Sequence, residues 1–349
     1  MKADLITISD EFDLTTISDE FNPSKIGILV DEHTEKLCLP LIKNHLSDFI
    51  HIIVIKSGEQ NKSLDTCVKV WKELVDIQFD RSSLLILLGG GVLGDLGGFC
   101  VSTFMRGIRF IHIPTTLLAM VDSAIGGKLG VDFMGYKNMI GTFATAEKIF
   151  IQPRFLKTLP KRELLNGLAE VIKYGLIFEP SLLDLIESED KVDKLPFLKI
   201  IEISTNIKTK IVDADPKECG LRKILNFGHT IGHAIESMAL KNHKDLRHGE
   251  AIAIGMICES YISLKRTLIK KHELERIQQL ILNIFGHHPY LVSSFEILID
   301  LMLHDKKNKS HKILMSLLDG LGNCTFNIVV SKEEILSSLN HYKNLNYVN

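Results

Sequence analysis

The chain has 349 residues, 45% hydrophobic and 24% charged, with a formal net charge of −2. That length exceeds one ordinary core and predicts two domains with the composition of a soluble globular protein. A near-neutral chain has no global attraction for nucleic acid or an anionic membrane surface, so an acidic ligand would have to be held by local cations.

Near the start, Thr7-Ile-Ser-Asp-Glu-Phe12 recurs as Thr16-Ile-Ser-Asp-Glu-Phe21, a tandem copy too brief to signal a repeat architecture. From Lys25 the pattern alternates. Strands are predicted at Ile26–Val30, Ile52–Ile55, Ser83–Leu88 and Arg109–Ile113, and helices at Glu35–Leu46 and Ser63–Leu74. Such alternation predicts a parallel sheet covered on both faces. After about Pro160 long helical periods dominate, at Lys161–Phe178, Pro196–Val212, Leu221–Leu240, Glu250–Thr267 and Lys271–Ile284. His311–Met315 and Cys324–Val329 read as a hairpin around Asp319-Gly320. The expected fold is an α/β Rossmann-like nucleotide-binding domain over residues 1–159 and a mostly helical metal- and substrate-binding domain over 160–349, with the active site in the cleft between them.

The six cysteines include no C-x-x-C pair, which argues against a zinc ribbon, a redox motif or a disulfide framework. The N-terminal residues lack the basic-then-apolar order of a signal peptide, and no apolar run approaches a membrane span. A cytoplasmic protein is expected.

Three stretches carry chemistry. Gly89-Gly90-Gly91-Val92-Leu93-Gly94-Asp95 follows a predicted strand and precedes a plausible helix, the context in which G-x-G-x-x-G brings backbone N–H groups close to a pyrophosphate. A ligand-free tight turn is the plain alternative. The usual fingerprint sits on the first strand, however, and here two strand–helix units come first. Asp31, at the end of the first predicted strand, is therefore the better ribose partner, with Glu59 and Lys62 on the same sheet edge. Next, Asp122 to Lys128 and Gly135-Tyr136-Lys137-Asn138 read as flexible, cation-rich loops suited to phosphate, or merely solvated.

The helical half holds two polar rows. Asn166, Glu170 and Lys173 lie at i, i+4 and i+7, which fits a surface ion pair or a metal ligand beside a substrate-binding cation. Arg222, Asn226, His229 and His233 lie at i, i+4, i+7 and i+11 and so share one side of a single predicted helix, followed by His248-Gly-Glu250. A cation, an amide and two imidazoles in one row fit an anion site, a metal site, or two satisfied histidines.

Taken together, the ordered runs Gly-Gly-Gly-Val-Leu-Gly-Asp95, Met-Arg106-Gly-Ile, Ile-Pro-Thr-Thr-Leu-Leu-Ala-Met, Asp122 to Lys128, Lys137-Asn138, Leu-Ala-Glu170-Val-Ile-Lys173-Tyr-Gly, Leu-Asn226-Phe-Gly-His229, His248-Gly-Glu and Asp305-Lys306-Lys307 resemble the 3-dehydroquinate synthase family, from about Asp31 to Lys307. The resemblance implies a metal, zinc or else cobalt, on Glu170, His229 and His248. It implies NAD at Asp31, Glu59, Lys62, Gly90, Gly91, Val92, Asp95, Thr115, Thr116, Lys137, Phe155, Thr158 and Asn166. Substrate groups would meet Asp122, Lys128, Asn138, Lys173, Lys208, Arg222, Asn226, His233 and Lys306, with Arg106 reaching the phosphate from a neighbouring subunit of a homodimer. Lys128, Lys173, Glu218, Asn226 and His233 would be catalytic.

The implied activity turns an anionic sugar phosphate acid, 3-deoxy-D-arabino-heptulosonate 7-phosphate, into 3-dehydroquinate and phosphate. Its steps are oxidation by NAD, phosphate elimination, reduction, ring opening and intramolecular aldol closure. Two departures stand out: Pro216 in Asp215-Pro-Lys-Glu218, which bears on Glu218, and Leu129 where threonine is usual. The rivals are cyclases that make an inosose or a valiolone, which tend to alter the Lys208, Arg222 and Asn226 cluster, and metal-dependent polyol dehydrogenases, which turn over free NAD.

Overall fold

The computed structural model describes residues 5–10, 14–42, 50–134, 136–292, 295–303 and 312–345. It divides into two compact units, Met1–Leu164 and Leu165–Asn349. The first contains β1 (Ile6–Ile8), α1 (Leu14–Phe21), β2 (Ile26–Asp31), α2 (Glu32–Leu37), α3 (Leu39–Ile42), β3 (His51–Ile55), α4 (Leu64–Asp76) and β4 (Leu84–Gly89). It continues with α5 (Gly91–Thr103), β5 (Arg109–Pro114), β6 (Lys128–Phe133), β7 (Tyr136–Phe143) and β8 (Lys148–Ile151).

Six strands form one parallel sheet in the order β1-β8-β5-β4-β2-β3. Leu84, Leu85, Ile86, Leu87 and Leu88 of β4 are all 0% exposed, which is why this strand reads as an unbroken apolar run. From β2 the chain steps to β3 on one side, whereas from β4 it steps to β5 on the other. The strand order therefore reverses between β2 and β4, where an open parallel sheet leaves a crevice at its carboxyl edge. Asp31 ends β2 and Gly89 ends β4, so both sit at that edge.

Gly90 caps α5, and the glycines that follow let the helix lie close on the sheet. A Cβ at Gly94 would run into Nε2 of His112 on β5, an imidazole only 4% exposed. Gly94→Ala is expected to overpack this contact at a cost of about 1–3 kcal/mol. A thermal melt checks it, and an unchanged midpoint would contradict the contact.

Several predicted elements are corrected. The helix expected over Glu35–Leu46 is two short ones, because Pro40 has no N–H with which to continue α2; residues 43–46 fall outside the described residues. The loops expected at Lys128 and around Lys137 belong instead to an antiparallel ribbon of β6 and β7, with Leu129 lying over Gly98 of α5. Strand β1, at one edge, and its neighbour β8 were not predicted. The two copies of the TISDEF hexapeptide differ: Thr7 and Ile8 lie in β1, paired with Phe150 and Ile151, whereas the second copy lies in α1. Pairing, not the local sequence, decides which conformation each adopts.

Helix α6 (Lys161–Ile177) leads into the second unit, which contains α7 (Ser181–Glu187), α8 (Phe197–Ala214), α9 (His229–Lys241), α10 (His248–Lys265), α11 (Lys271–Phe285), α12 (Phe295–Leu303) and α13 (Lys332–Lys343). The predicted hairpin is present as β9 (Ile313–Leu318) against β10 (Cys324–Val330). Among the described residues no helix is long and apolar enough to cross a membrane.

The single helix predicted over Leu221–Leu240 does not exist. Leu221–Asn226 is a 3-10 turn, Phe227 is extended, and Gly228 takes the left-handed region at φ 79° before α9 begins at His229. Gly228 also lies against Gly255 of α10, where side chains would collide, so the break comes from a close helix approach as well as from the φ requirement. Arg222 and Asn226 therefore do not share a helical face with His229 and His233.

Candidate active site

The sheet edge of the first unit is built around a buried lysine. Lys62, 4% exposed, donates from Nζ to Asp95 Oδ2 at 2.6 Å and to Asn138 Oδ1 at 2.6 Å. Burial works against its charge, but the carboxylates of Asp95 and Glu59 outweigh it and hold its pKa above the ordinary lysine value. Asp95 sits above the usual carboxylate range because burial raises it more than Lys62 lowers it. Lys137 pairs with Glu59 at 3.2 Å, and the Asn138 N–H donates to Asp132 Oδ1 at 2.7 Å. Five of the expected residues thus form one polar network, joining α5 to the ribbon.

Other expected nucleotide residues line the same edge. The Asp31 carboxylate caps α2, accepting N–H groups of His33 and Thr34 at 2.9 and 2.8 Å. Thr115 N–H donates to Gly89 O at 3.0 Å, and the Thr116 hydroxyl accepts from Ala119 N–H at 3.2 Å. Side chains at Gly90 and Gly91 would meet Thr116 and Ser123, so the glycines keep a cradle open at the start of α5, beside half-buried Val92. Phe155 is fully buried, and the Thr158 hydroxyl donates to its carbonyl at 2.8 Å. Asp122 is half-buried in a π-helical turn and Lys128 is exposed at the start of β6. Arg106 is exposed in a turn where Met105, Arg106 and Gly107 have φ of 50°, 68° and 112°, a strain the surrounding chain must hold.

In the second unit, α6, α9 and α10 bring a carboxylate and three imidazoles together. Asn166, Glu170 and Lys173 are 8%, 1% and 1% exposed, which excludes the surface ion pair. The Lys173 ammonium contacts Glu170 Oε2. Nε2 of His229 and Nε2 of His248 each lie 3.4 Å from Glu170 Oε1. Neither Glu170 oxygen has an aligned hydrogen bond despite full burial. Zinc bonds of about 2.0–2.2 Å at a tetrahedral angle put ligand atoms about 3.3–3.5 Å apart. The gap therefore suits groups that share an ion. Nitrogen atoms of His229, His233 and His248 lie within 4.8 Å of one another, which puts His233 next to the set.

The electrostatics suit a cation. Burial pushes His229 down to about 4, with Lys173 acting in the same sense against Glu170, so its ring is neutral and its lone pair available. His229 Nδ1 lies 3.0 Å from Phe227 O, which accepts a hydrogen bond from Nδ1–H and so leaves the lone pair on Nε2. Burial works against the Glu170 charge, but the Lys173 ammonium beside it holds the carboxyl well below its ordinary range. At His248 burial acts downward, yet Glu236 and Glu170 together raise the ring to about 10. The Asn166 amide oxygen accepts Gly249 N–H at 2.6 Å, holding the start of α10 beside α6.

A second polar group lies at the 3-10 turn before α9. Arg222, 2% exposed, donates from a guanidinium nitrogen to Pro216 O at 2.8 Å, so Pro216 anchors the arginine. The Asp215 carboxylate accepts N–H groups of Cys219, Gly220 and Arg222 at 2.9, 2.7 and 3.1 Å. Asn226 donates to Glu218 Oε1 at 2.7 Å, and Lys208 is buried on α8 at 5% exposure. Lys306 lies outside the described residues.

Sequence reading passed over Glu259. It is wholly buried on α10, and its carboxylate accepts Gly228 N–H at 2.6 Å and Ile231 N–H at 3.3 Å, capping the helix that carries His229 and His233. The available signal was a lone acid in the otherwise uncharged run Ala251–Ser260.

Family models described as 3-dehydroquinate synthase N-terminal and C-terminal match residues 52–166 and 167–308. The chain belongs to the 3-dehydroquinate synthase family. It is 40% identical to 3-dehydroquinate synthase of Parabacteroides distasonis over 326 residues, 91% of each chain. It is 42% identical over 312 residues to that of Rippkaea orientalis, 87% of this chain and 84% of the relative. Among solved structures it resembles a 2-epi-5-epi-valiolone synthase of Streptomyces hygroscopicus subsp. jinggangensis with NAD+ and Zn2+ bound, at 26% identity and TM-score 0.87, covering 98% of this chain and 97% of the other. A 2-deoxy-scyllo-inosose synthase complexed with carbaglucose-6-phosphate, NAD+ and Co2+ shares the fold at 24% identity and TM-score 0.83, covering 96% of each chain.

Proposed function

We propose that this chain converts 3-deoxy-D-arabino-heptulosonate 7-phosphate to 3-dehydroquinate and phosphate, as a carbon–oxygen lyase that uses NAD and a divalent metal, zinc or else cobalt. The observation that carries the reading is the convergence of Glu170, His229 and His248, with Lys173 at the carboxylate, in a chain that also keeps Lys208, Arg222 and Asn226. Bound to Glu170, His229 and His248, the metal would supply Lewis-acid polarisation of substrate hydroxyls, and NAD on the glycine edge would supply a reversible hydride acceptor.

The remaining work belongs to side chains. Lys173 keeps Glu170 ionised, and the two form a buried, charge-assisted pair. Arg222, fixed by the Pro216 carbonyl, presents a planar fork to the substrate carboxylate, with Lys208 as a second cation. Lys128, Asn138, Lys306 and Arg106 supply cations and an amide for the phosphate. We assign Arg106 to the phosphate of a partner subunit in a homodimer, which gives the strained turn at Met105 to Gly107 a purpose. His233, beside the two imidazole ligands, takes or returns a proton, and Glu218 orients Asn226. We assign Asp31, Glu59, Lys62, Asp95, Lys137 and Asn166 to NAD.

The test is inorganic phosphate release from the heptulosonate phosphate by protein loaded with zinc and a catalytic quantity of NAD. Expected are phosphate and dehydroquinate with no net NADH. A folded, metal-loaded sample that releases no phosphate overturns the proposal, and net NADH formation from a simple polyol points to a dehydrogenase.

A further inference from the structure

We propose that Glu236 is the positioning residue for the His248 metal ligand, its carboxylate accepting a hydrogen bond from Nδ1–H so that the lone pair of Nε2 faces Glu170. This rests on the metal reading above. A neutral imidazole offers one lone pair, and the hydrogen bond at its other nitrogen decides which. His229 is settled by a backbone carbonyl. His248 is the first residue of α10 with a quarter of its side chain exposed, so packing alone leaves its ring free to turn. Glu236 Oε2 lies 3.4 Å from Nδ1, while Glu170 Oε1 lies 3.4 Å from Nε2. Two acids thus address opposite nitrogens of one ring, and each has a side chain no more than 10% exposed. Glu236 stands at i+7 from His229 and i+3 from His233, so α9 presents a ligand, its neighbour and the orienting carboxylate on one face.

A plain structural reading, in which Glu236 ties α9 to α10, predicts a loss of fold stability with no effect on the metal. The two readings separate by substitution. Glu236→Met keeps volume and removes the acceptor, and Glu236→Gln keeps an acceptor oxygen. In competition with a chromophoric chelator, E236M is expected to bind zinc about 10–100-fold more weakly. E236Q should stay close to the unsubstituted protein, and the metal-free melting points of all three should agree. E236M binding zinc like the parent, or equal losses in E236M and E236Q, overturns the proposal. A second readout needs no variant. In zinc-loaded protein labelled with 15N-histidine, the His248 ring must carry its proton on Nδ1, and a proton on Nε2 overturns the assignment. Failure of the parent itself to bind zinc would instead sink the metal reading, so the two failures are distinct.

Discussion

Glu170→Gln loses stoichiometric zinc, and with it phosphate release from the heptulosonate phosphate falls by at least about a thousandfold. The size follows from what a Lewis acid contributes, several kcal/mol of transition-state stabilisation at about 1.4 kcal/mol per tenfold. Glutamine keeps the shape of the side chain but not the charge that Lys173 and the two imidazoles surround. His248→Ala should give the same loss from the other side of the set. Metal content by atomic emission and phosphate by a colorimetric assay check both. An E170Q protein with normal zinc would refute the ligand assignment, whatever its activity.

Lys62→Met costs about 3–5 kcal/mol of stability, because it strands Asp95 without its counter-charge. For a unit of this size that corresponds to a fall in melting temperature of roughly 6–20 °C. The pH dependence has a definite sign. The folded-state pKa of Asp95 already lies above its ordinary value, and removing Lys62 raises it further. The folded form then prefers protonated Asp95, so the deficit is largest at neutral pH and shrinks as pH falls through the raised pKa. Melting curves of both proteins at neutral and mildly acidic pH test this, and a deficit that grows on acidification contradicts it. Weaker NAD binding should accompany the loss, because Lys62 and its partner Asp95 are both assigned to the nucleotide edge.

Much of the architecture was legible because its signals are local. The β4 run is apolar at every position because the strand is covered on both faces, and four of the five long helical periods after Pro160 match α6, α8, α10 and α11. The glycine loop was legible with its helix, since strand, cap and close-approach positions are contiguous in sequence. The ribbon of β6 and β7 was not, because lysines, glycines and asparagine carry loop composition while pairing across the hairpin makes the strands. The break at Gly228 was also hidden. A periodicity count tolerates one glycine, but the approach of Gly255 and the Glu259 cap are long-range facts.

The site divides the same way. Glu170, His229 and His248 were named from residue type and family motif, whereas the 3.4 Å spacing between the carboxylate and each imidazole comes from the packing of three helices. Glu236 and Glu259 stood in plain view as acids, yet their roles depend on which imidazole or backbone amide the fold places against them. By itself the sequence determined the alternation of elements, the family and the kinds of side chain available for anion, nucleotide and metal, because these rest on identity and short spacing. Only the tertiary structure decided where the helix breaks, which charges are buried in pairs and which groups face the ring nitrogens of His229 and His248, because burial and hydrogen-bond partners are set by contacts between residues far apart in the chain.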